Sequence, residues 1–319
     1  MSATIPCILC GMSGDTLYVS QPDHLRGIPG VWDLLECESC ALLWLDPMPL
    51  EDEVGLLYEG YYPASTGSAQ SDRIPICRPD PRSGWRAVIR KVWPTPGRRR
   101  KADRAGLFET GDWPPGRVLE VGCGRGQNLV RLRDAGWEVV GQEIDANGAA
   151  IAAARGIEVH AESIENVDLA PSSFDLLIVN HVIEHMRDPM RDMRAASRLL
   201  KAGGRLVCVT PNARSMAHRM FRSNWFDLDT PRHLFLYSES SLGVVLRSAG
   251  FANIAVRTRD LTDEFIAKES TRRMLRRWSP RPRWVAGCVV GIVTRVASTT
   301  TRFEHRGLSA ELVATGTRI

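Results

Sequence analysis

From Val118 onward the chain alternates short apolar, β-branched runs with stretches of helical spacing. The runs at 118–121, 138–142, 157–160, 174–179 and 204–210 have the length and composition of buried strands. Segments such as 128–135 carry helical patterns between them, and a helix near 238–249 with strands near 252–259 and 310–317 completes the series. Strand and helix in strict alternation predict an α/β fold: a doubly wound, mostly parallel sheet whose ligands lie at the carboxyl ends of its strands.

The chain ahead of this pattern is organised differently. Residues 63–82 are rich in Pro, Ser, Asp and Arg without any period and read as a linker or lid. Trp85, Val88, Ile89, Val92 and Trp93 then fall on one helical face, with Arg86, Arg90 and Lys91 on the others and a basic run at 98–101. Packing of this helix on the α/β domain is the favoured reading, and contact with an anionic membrane is the alternative. An insertion at 262–306 carries Arg272, Arg273, Arg276, Arg277, Arg281 and Arg283, followed by an uncharged run from Trp284 to Thr294. That run is too short to span a bilayer as a helix, which takes roughly 20 residues, so any membrane contact there is peripheral. The expected division is 1–62 as an N-terminal module, 63–113 as linker and lid, and 114–319 as the main domain.

A net charge of +4 over 319 residues is mild and does not indicate a nucleic-acid partner. The first residues show no charged region followed by an apolar run, so a cytoplasmic location is expected, at most peripheral to the inner face of the membrane. Eight cysteines in such a chain point to metal ligation or buried thiols before disulfides. Cys7, Cys10, Cys37 and Cys40 form two Cys-x-x-Cys knuckles 26 residues apart. Two such corners complete a tetrahedral zinc site with no open position, which makes the expected zinc structural. Cys77, Cys123, Cys208 and Cys288 lack such partners, and a buried thiol is the reading for Cys208.

The chemistry is concentrated at 118–127, V-L-E-V-G-C-G-R-G-Q, where a strand ends in an acid and three alternate glycines, Gly122, Gly124 and Gly126, precede a helix. Glycine lets a backbone turn with positive φ and lets a ligand lie against it. A dinucleotide loop wants its third glycine where Gln127 stands, and a P-loop needs a Gly-Lys-Ser/Thr ending, so both nucleotide readings lose ground. The next strand ends at Glu143, whose carboxylate suits the two hydroxyls of an adenosine ribose and repels a 2′-phosphate.

With these residues the sequence resembles the class I S-adenosylmethionine-dependent methyltransferases, E-V-G-C-G-R-G being the cofactor loop and V-V-G-Q-E the ribose-binding strand end. The resemblance continues through blocks at 172–189, 199–212 and 241–251. It implies a Rossmann-like fold, S-adenosylmethionine as cofactor, and a binding set of Glu120, Gly122, Gly124, Gly126, Glu143, Ser163, Ile164 and Asn180. Many relatives carry an acid where Ser163 stands. The N-terminal knuckles, the strand ending Asp46-Pro47 and the Tyr61-Tyr62 pair resemble the zinc module ahead of bacterial methyltransferases of glycan and secondary-metabolite pathways. Tyr58, Tyr61 and Tyr62 read as core before substrate pocket.

Methylation of a hydroxyl calls for a base or a metal, and catalysis otherwise comes from positioning. His181-Val182-Ile183-Glu184-His185 follows the fourth strand and resembles the metal-holding Glu-x-x-Glu-His segment of ubiquinone-pathway O-methyltransferases. Histidine replaces the first glutamate here, and an imidazole suits a base better than a magnesium ligand. A second cluster, W-F-D-L-D-T-P-R-H, offers His233 as the preferred base with Trp225, Asp227, Asp229 and Arg232 to orient an acceptor. The expected catalytic set is therefore His233, His181, Glu184 and His185. The expected function is O-methylation of a small molecule, glycan or glycolipid. A zinc-module RNA methyltransferase is the alternative, weakened by the absence of a basic run with interleaved aromatics. The intact Glu120, glycine loop and Glu143 argue against a non-catalytic binding module. The sequence leaves the oligomeric state open.

Overall fold

A computed structural model describes residues 6–50, 53, 57, 113–260, 262–276 and 308–319. Three strands open it: β1 (Asp15–Gln21), β2 (Trp32–Glu36) and β3 (Leu43–Asp46), paired antiparallel in that order. Their fourth neighbour comes from far along the chain. β9 (Phe235–Leu236) pairs with β3 through Leu43–Leu236 and Trp44–Phe235, so the cysteine-bearing segment and the stretch that follows His233 share one sheet.

The main sheet has seven strands. β4 (Arg117–Val121), β5 (Glu138–Gln142), β6 (Glu158–His160), β7 (Phe174–Asn180), β8 (Leu200–Pro211), β10 (Phe251–Arg259) and β11 (Glu311–Arg318) lie in the order β10-β11-β8-β7-β4-β5-β6. β4, β5, β6, β7 and β8 pair in parallel, and β11 runs antiparallel between β8 and β10. The expected mostly parallel, doubly wound sheet is present. The strand order reverses between β4 and β7, which opens a crevice at their carboxyl ends, after Val121 and Asn180.

Alternation within the strands explains the two buried faces. Val118, Leu176, Ile178, Val207 and Val209 enter one core with Leu129 and Leu132 of α1 (Gln127–Asp134) and Ala152 of α2 (Ala146–Ala154). Leu119, Leu177, Val179, Leu206 and Cys208 enter the other, with Met193 of α3 (Pro189–Leu199) and Leu242 of α5 (Glu239–Ser248). α4 (Met216–Phe221) lies between the last two in sequence. Both faces being covered, the strands read as nearly continuous apolar runs. Leu34, Leu42, Trp44 and Leu45 of the N-terminal strands belong to the second core, which runs unbroken beneath both sheets.

β8 begins earlier than the sequence pattern predicts. Its pairing with β7 shifts between Phe174–Leu200 and Leu176–Arg205, where Gly203 takes φ 73°, so the polar Lys201–Gly204 stretch is an irregular strand start. The insertion opens with α6 (Asp263–Arg276). Among the described residues no helix is long and apolar enough to cross a membrane. The expected lid, the helix at 85–93, the basic run at 98–101, Tyr58, Tyr61, Tyr62, Cys77, Cys288, Arg277, Arg281, Arg283 and the run at 284–294 lie outside the described residues.

Candidate active site

The three glycines after β4 all adopt left-handed backbone, with φ 62° at Gly122, 54° at Gly124 and 73° at Gly126. A Cβ on Gly122 would run into Val182, and Gly126 caps α1, so neither position admits a side chain at low cost. The loop is tied to the end of β5. Gly124 N–H donates to Glu143 Oε2 at 2.7 Å, Cys123 N–H to the Gln142 carbonyl at 2.9 Å, and Gly122 N–H to Gln142 Oε1 at 3.3 Å.

Glu143 was expected to wait for ribose hydroxyls. In the structure each of its oxygens already accepts a backbone amide, Oε1 from Asp145 at 2.8 Å. A carboxylate oxygen has two lone pairs, so each keeps capacity for a further donor. Glu120 is the complementary case. It is buried, Oε1 accepts from Asn128 at 2.8 Å, and Oε2 is buried with no protein partner. Burial and the nearby Glu143 push its carboxyl up to about 8, against the pull of the Asn128 hydrogen bond. An orphaned buried carboxyl oxygen beside a glycine cradle fits a cofactor whose cationic and donor groups favour its ionised form. Ser163 is half-buried and its hydroxyl accepts from Asn166 at 3.0 Å, while Ile164 is packed into the core. Asn180 ends β7, half-buried at the mouth of the crevice.

His181 follows with φ 55°, a left-handed backbone unusual for a residue with a side chain. That turn sets its ring between two carboxylates, Nδ1 3.3 Å from Glu184 Oε1 and Nε2 3.1 Å from Glu311 Oε1. Burial works against its charge, but hydrogen bonds and attraction from Glu184 and Glu311 outweigh that and raise it to about 10. The expected base is thus an imidazolium at neutral pH, a fixed positive charge in place of a proton acceptor. Glu184 is fully buried, and Thr210 donates to its Oε2 at 2.9 Å. Burial alone would raise its carboxyl; His181, His185 and His233 together bring it down to about 2.

The other two histidines are oriented by backbone carbonyls. Nδ1–H of His185 donates to the Arg232 carbonyl at 2.9 Å, and Nδ1–H of His233 to the Asp227 carbonyl at 2.7 Å. The rings are 4.7 Å apart between centroids. Burial, reinforced by His185, lowers His233 to about 4 against the opposite pull of Asp229 and Glu184, so it is neutral at pH 7. With the proton held on Nδ1, the lone pair lies on Nε2. Glu184, His185 and His233 each bring one ligand-type atom within 4.8 Å of the others, a donor set a divalent ion of the zinc or iron type accepts.

The remaining polar-aromatic cluster is differently employed than expected. Trp225 is fully buried and stacks on His218 at 4.5 Å, so it is core and does not face an acceptor. Arg232 is 1% exposed, its guanidinium closed between Asp23 and Asp229, and it has no reach to a ligand. Asp227 stays half-buried beside His181 and Glu311, and burial raises its carboxyl to about 8. The reason is local. Thr230 and Arg232 bond to the β1–β2 loop and Phe235 pairs with β3, while Trp225 packs on His218 of α4 and its carbonyl accepts from Arg273 of α6.

In the loops of the same sheet, Cys7 and Cys40 sulfurs are 3.4 Å apart, as are those of Cys10 and Cys37, and all four lie within 4.8 Å of one another. A disulfide would need about 2.05 Å. Tetrahedral zinc with bonds of about 2.3 Å spaces its sulfurs about 3.8 Å apart, and the four thiols are compatible with that.

Four participants escaped the sequence reading. Gln142 and Thr210 each stand as one polar residue at the end of an apolar strand, a signal that was available. Glu311 and Asp23 carried none, because only the fold brings them to residues 130 and 209 positions away in sequence.

A family model described as a methyltransferase domain matches residues 95–256, more than half of the chain. A ubiquinone biosynthesis O-methyltransferase of Maricaulis maris is 30% identical over 175 residues, covering 49% of this chain and 67% of that protein. One from Ruegeria sp. is 30% identical over 115 residues, so that the chain spans 44% of that relative's length. Among solved structures, a methyltransferase of Thermotoga maritima aligns over 65% of this chain and 84% of its own, with 24% identity and a TM-score of 0.46.

Proposed function

This chain belongs to the S-adenosylmethionine-dependent methyltransferases, and from that premise we propose that it methylates a hydroxyl oxygen of a small molecule or glycan, with His233 as general base. S-adenosylmethionine supplies a methyl carbon activated by its sulfonium. Glu143 accepts the ribose hydroxyls with its remaining lone pairs, and the unpartnered oxygen of Glu120 takes a donor from the same molecule. Gly122, Gly124 and Gly126 let the backbone lie against it, and Ser163, Ile164 and Asn180 line its remaining edge.

The observation that carries the choice of base is the Nδ1–H bond from His233 to the Asp227 carbonyl, which leaves a neutral imidazole with its Nε2 lone pair available. Glu184, buried and anionic, stabilises the imidazolium formed when His233 takes the acceptor's proton. His181 holds Glu184 in place as its counter-charge, and His185 steadies the loop through the Arg232 carbonyl. Cys7, Cys10, Cys37 and Cys40 hold one structural zinc in a cytoplasmic protein whose thiols stay reduced. The relatives named as ubiquinone biosynthesis O-methyltransferases support a small-molecule hydroxyl acceptor.

The test is labelled S-adenosylmethionine against cell extract fractionated into RNA, glycolipid and small metabolites. Label in the small-metabolite or glycolipid fraction, released as a methyl ether, is the expected result. Label in RNA would overturn this reading in favour of the base-methylating alternative.

A further inference from the structure

Asp23 sits in the loop between β1 and β2, in the cysteine-bearing segment, with its side chain completely buried. Its own loop holds it: Oδ1 accepts the amides of Leu25 at 2.9 Å and Arg26 at 3.0 Å, and Oδ2 that of Ile28 at 3.2 Å. The same two oxygens receive the guanidinium of Arg232, Nη2 to Oδ1 at 2.8 Å and Nη1 to Oδ2 at 3.0 Å. Asp229 closes the other edge, with Nε to Oδ2 at 3.1 Å and Nη2 to Oδ1 at 2.7 Å. A second bond ties the same two segments, from the Thr230 hydroxyl to the Pro22 carbonyl at 2.9 Å.

A planar guanidinium between two carboxylates has its plane and position fixed, and a buried charge cannot easily leave its partners. The backbone of Arg232 is held to the same turn, its amide donating to the Asp229 carbonyl at 2.8 Å. The Arg232 carbonyl is the acceptor for His185 Nδ1–H, and the next residue is His233, whose ring lies 4.7 Å from that of His185.

We propose that Asp23 is a positioning residue for the His185–His233 pair, acting through the Arg232 guanidinium and carbonyl, so that the N-terminal segment helps to build the acceptor side of the active site. The consequence for catalysis rests on His233 as base; the positioning itself does not.

The experiment therefore needs no acceptor. Heteronuclear NMR on the full chain with isotope-labelled histidine, at mildly alkaline pH, reads which ring nitrogen carries the proton. S-adenosylhomocysteine titration reports the integrity of the cofactor half, and His160 in β6 is the remote reference. In the unaltered protein His185 and His233 show protonated Nδ1. In Asp23→Asn and in Arg232→Lys the His185 signal moves away from the Nδ1-protonated value, His160 is unchanged, and S-adenosylhomocysteine affinity stays within about twofold. The same shift is absent from Asp33→Asn, which alters another acid of the segment. A His185 signal unmoved in either folded variant overturns the proposal. So does loss of S-adenosylhomocysteine binding in both variants, which would make the Asp23–Arg232 pair a purely structural element. Failure to find a hydroxyl acceptor bears on the reaction and leaves these signals as they are.

Discussion

The backbone amide of Gly124 donates to Oε2 of Glu143 over 2.7 Å, so the acid expected to hold the cofactor ribose also holds the loop that the cofactor lies against. Glu143→Ala removes both functions. S-adenosylmethionine binding is expected to weaken by about 1.5–3 kcal/mol, the scale of hydrogen bonds to a charged group. Titration calorimetry measures it, and an unchanged affinity would place the ribose elsewhere.

Purified without chelator, the protein is expected to carry one zinc, and Cys37→Ser to lose it. Zinc supplies much of the folding free energy of small modules of this kind. Cofactor affinity should survive, because Glu120, the glycine loop and Glu143 lie on the main sheet. Methyl transfer should not, because β9 and the His233 loop are paired to β3. Metal analysis beside calorimetry separates the two effects, and zinc-free native protein would end the assignment.

His233→Ala is expected to lower kcat by about 10²–10⁴-fold, the usual contribution of a general base, with cofactor affinity retained. The acceptor identified by methyl labelling is the substrate for this measurement. Near-normal turnover would mean that positioning alone carries the reaction.

His181 gives a pH signature. Its folded value, about 10, is raised above the ordinary 6.5, so its stabilising contribution is complete below pH 6.5 and is lost as pH rises towards 10. Glu120 and Asp227 are both raised to about 8 and add slopes of the same sign at lower pH. Above pH 8 those two slopes are spent, and because burial also raises the Cys123 and Cys208 thiols from 9.0, it is the difference from His181→Gln across pH 8 to 10 that reports on His181. Thermal melts of the unaltered protein should fall more steeply across that window than those of His181→Gln. Parallel curves would show that the ring is not held as a cation.

Arg232→Ala leaves two buried carboxylates, Asp23 and Asp229, without their common partner. Removing one member of a buried pair costs about 3–5 kcal/mol, so this variant should be among the least stable single substitutions in the loop. Chemical denaturation measures it, and a loss below about 1 kcal/mol would mean that water replaces the guanidinium.

The chain's own pattern determined the main sheet and the half of the site proposed for the cofactor. Strand period, helix spacing and glycine placement are local properties, and Glu120, the three glycines and Glu143 sit at strand ends that follow directly from them. The two Cys-x-x-Cys pairs were legible for the same reason. The half proposed for the acceptor was decided by tertiary structure. Glu311 reaches His181, and Asp23 reaches Arg232, only because β11 inserts beside β8 and the N-terminal strands pair with β9. No local signal encodes such pairings. Those contacts also reversed the protonation expected for His181. A histidine's charge is set by burial and by the carboxylates packed around it, and its sequence neighbours named only one of the two. Trp225 and Arg232 have the composition of a ligand-binding cluster, yet Trp225 is buried against His218 and Arg232 between Asp23 and Asp229. Burial depends on what the rest of the chain lays over a segment, and that is a property of the folded molecule alone.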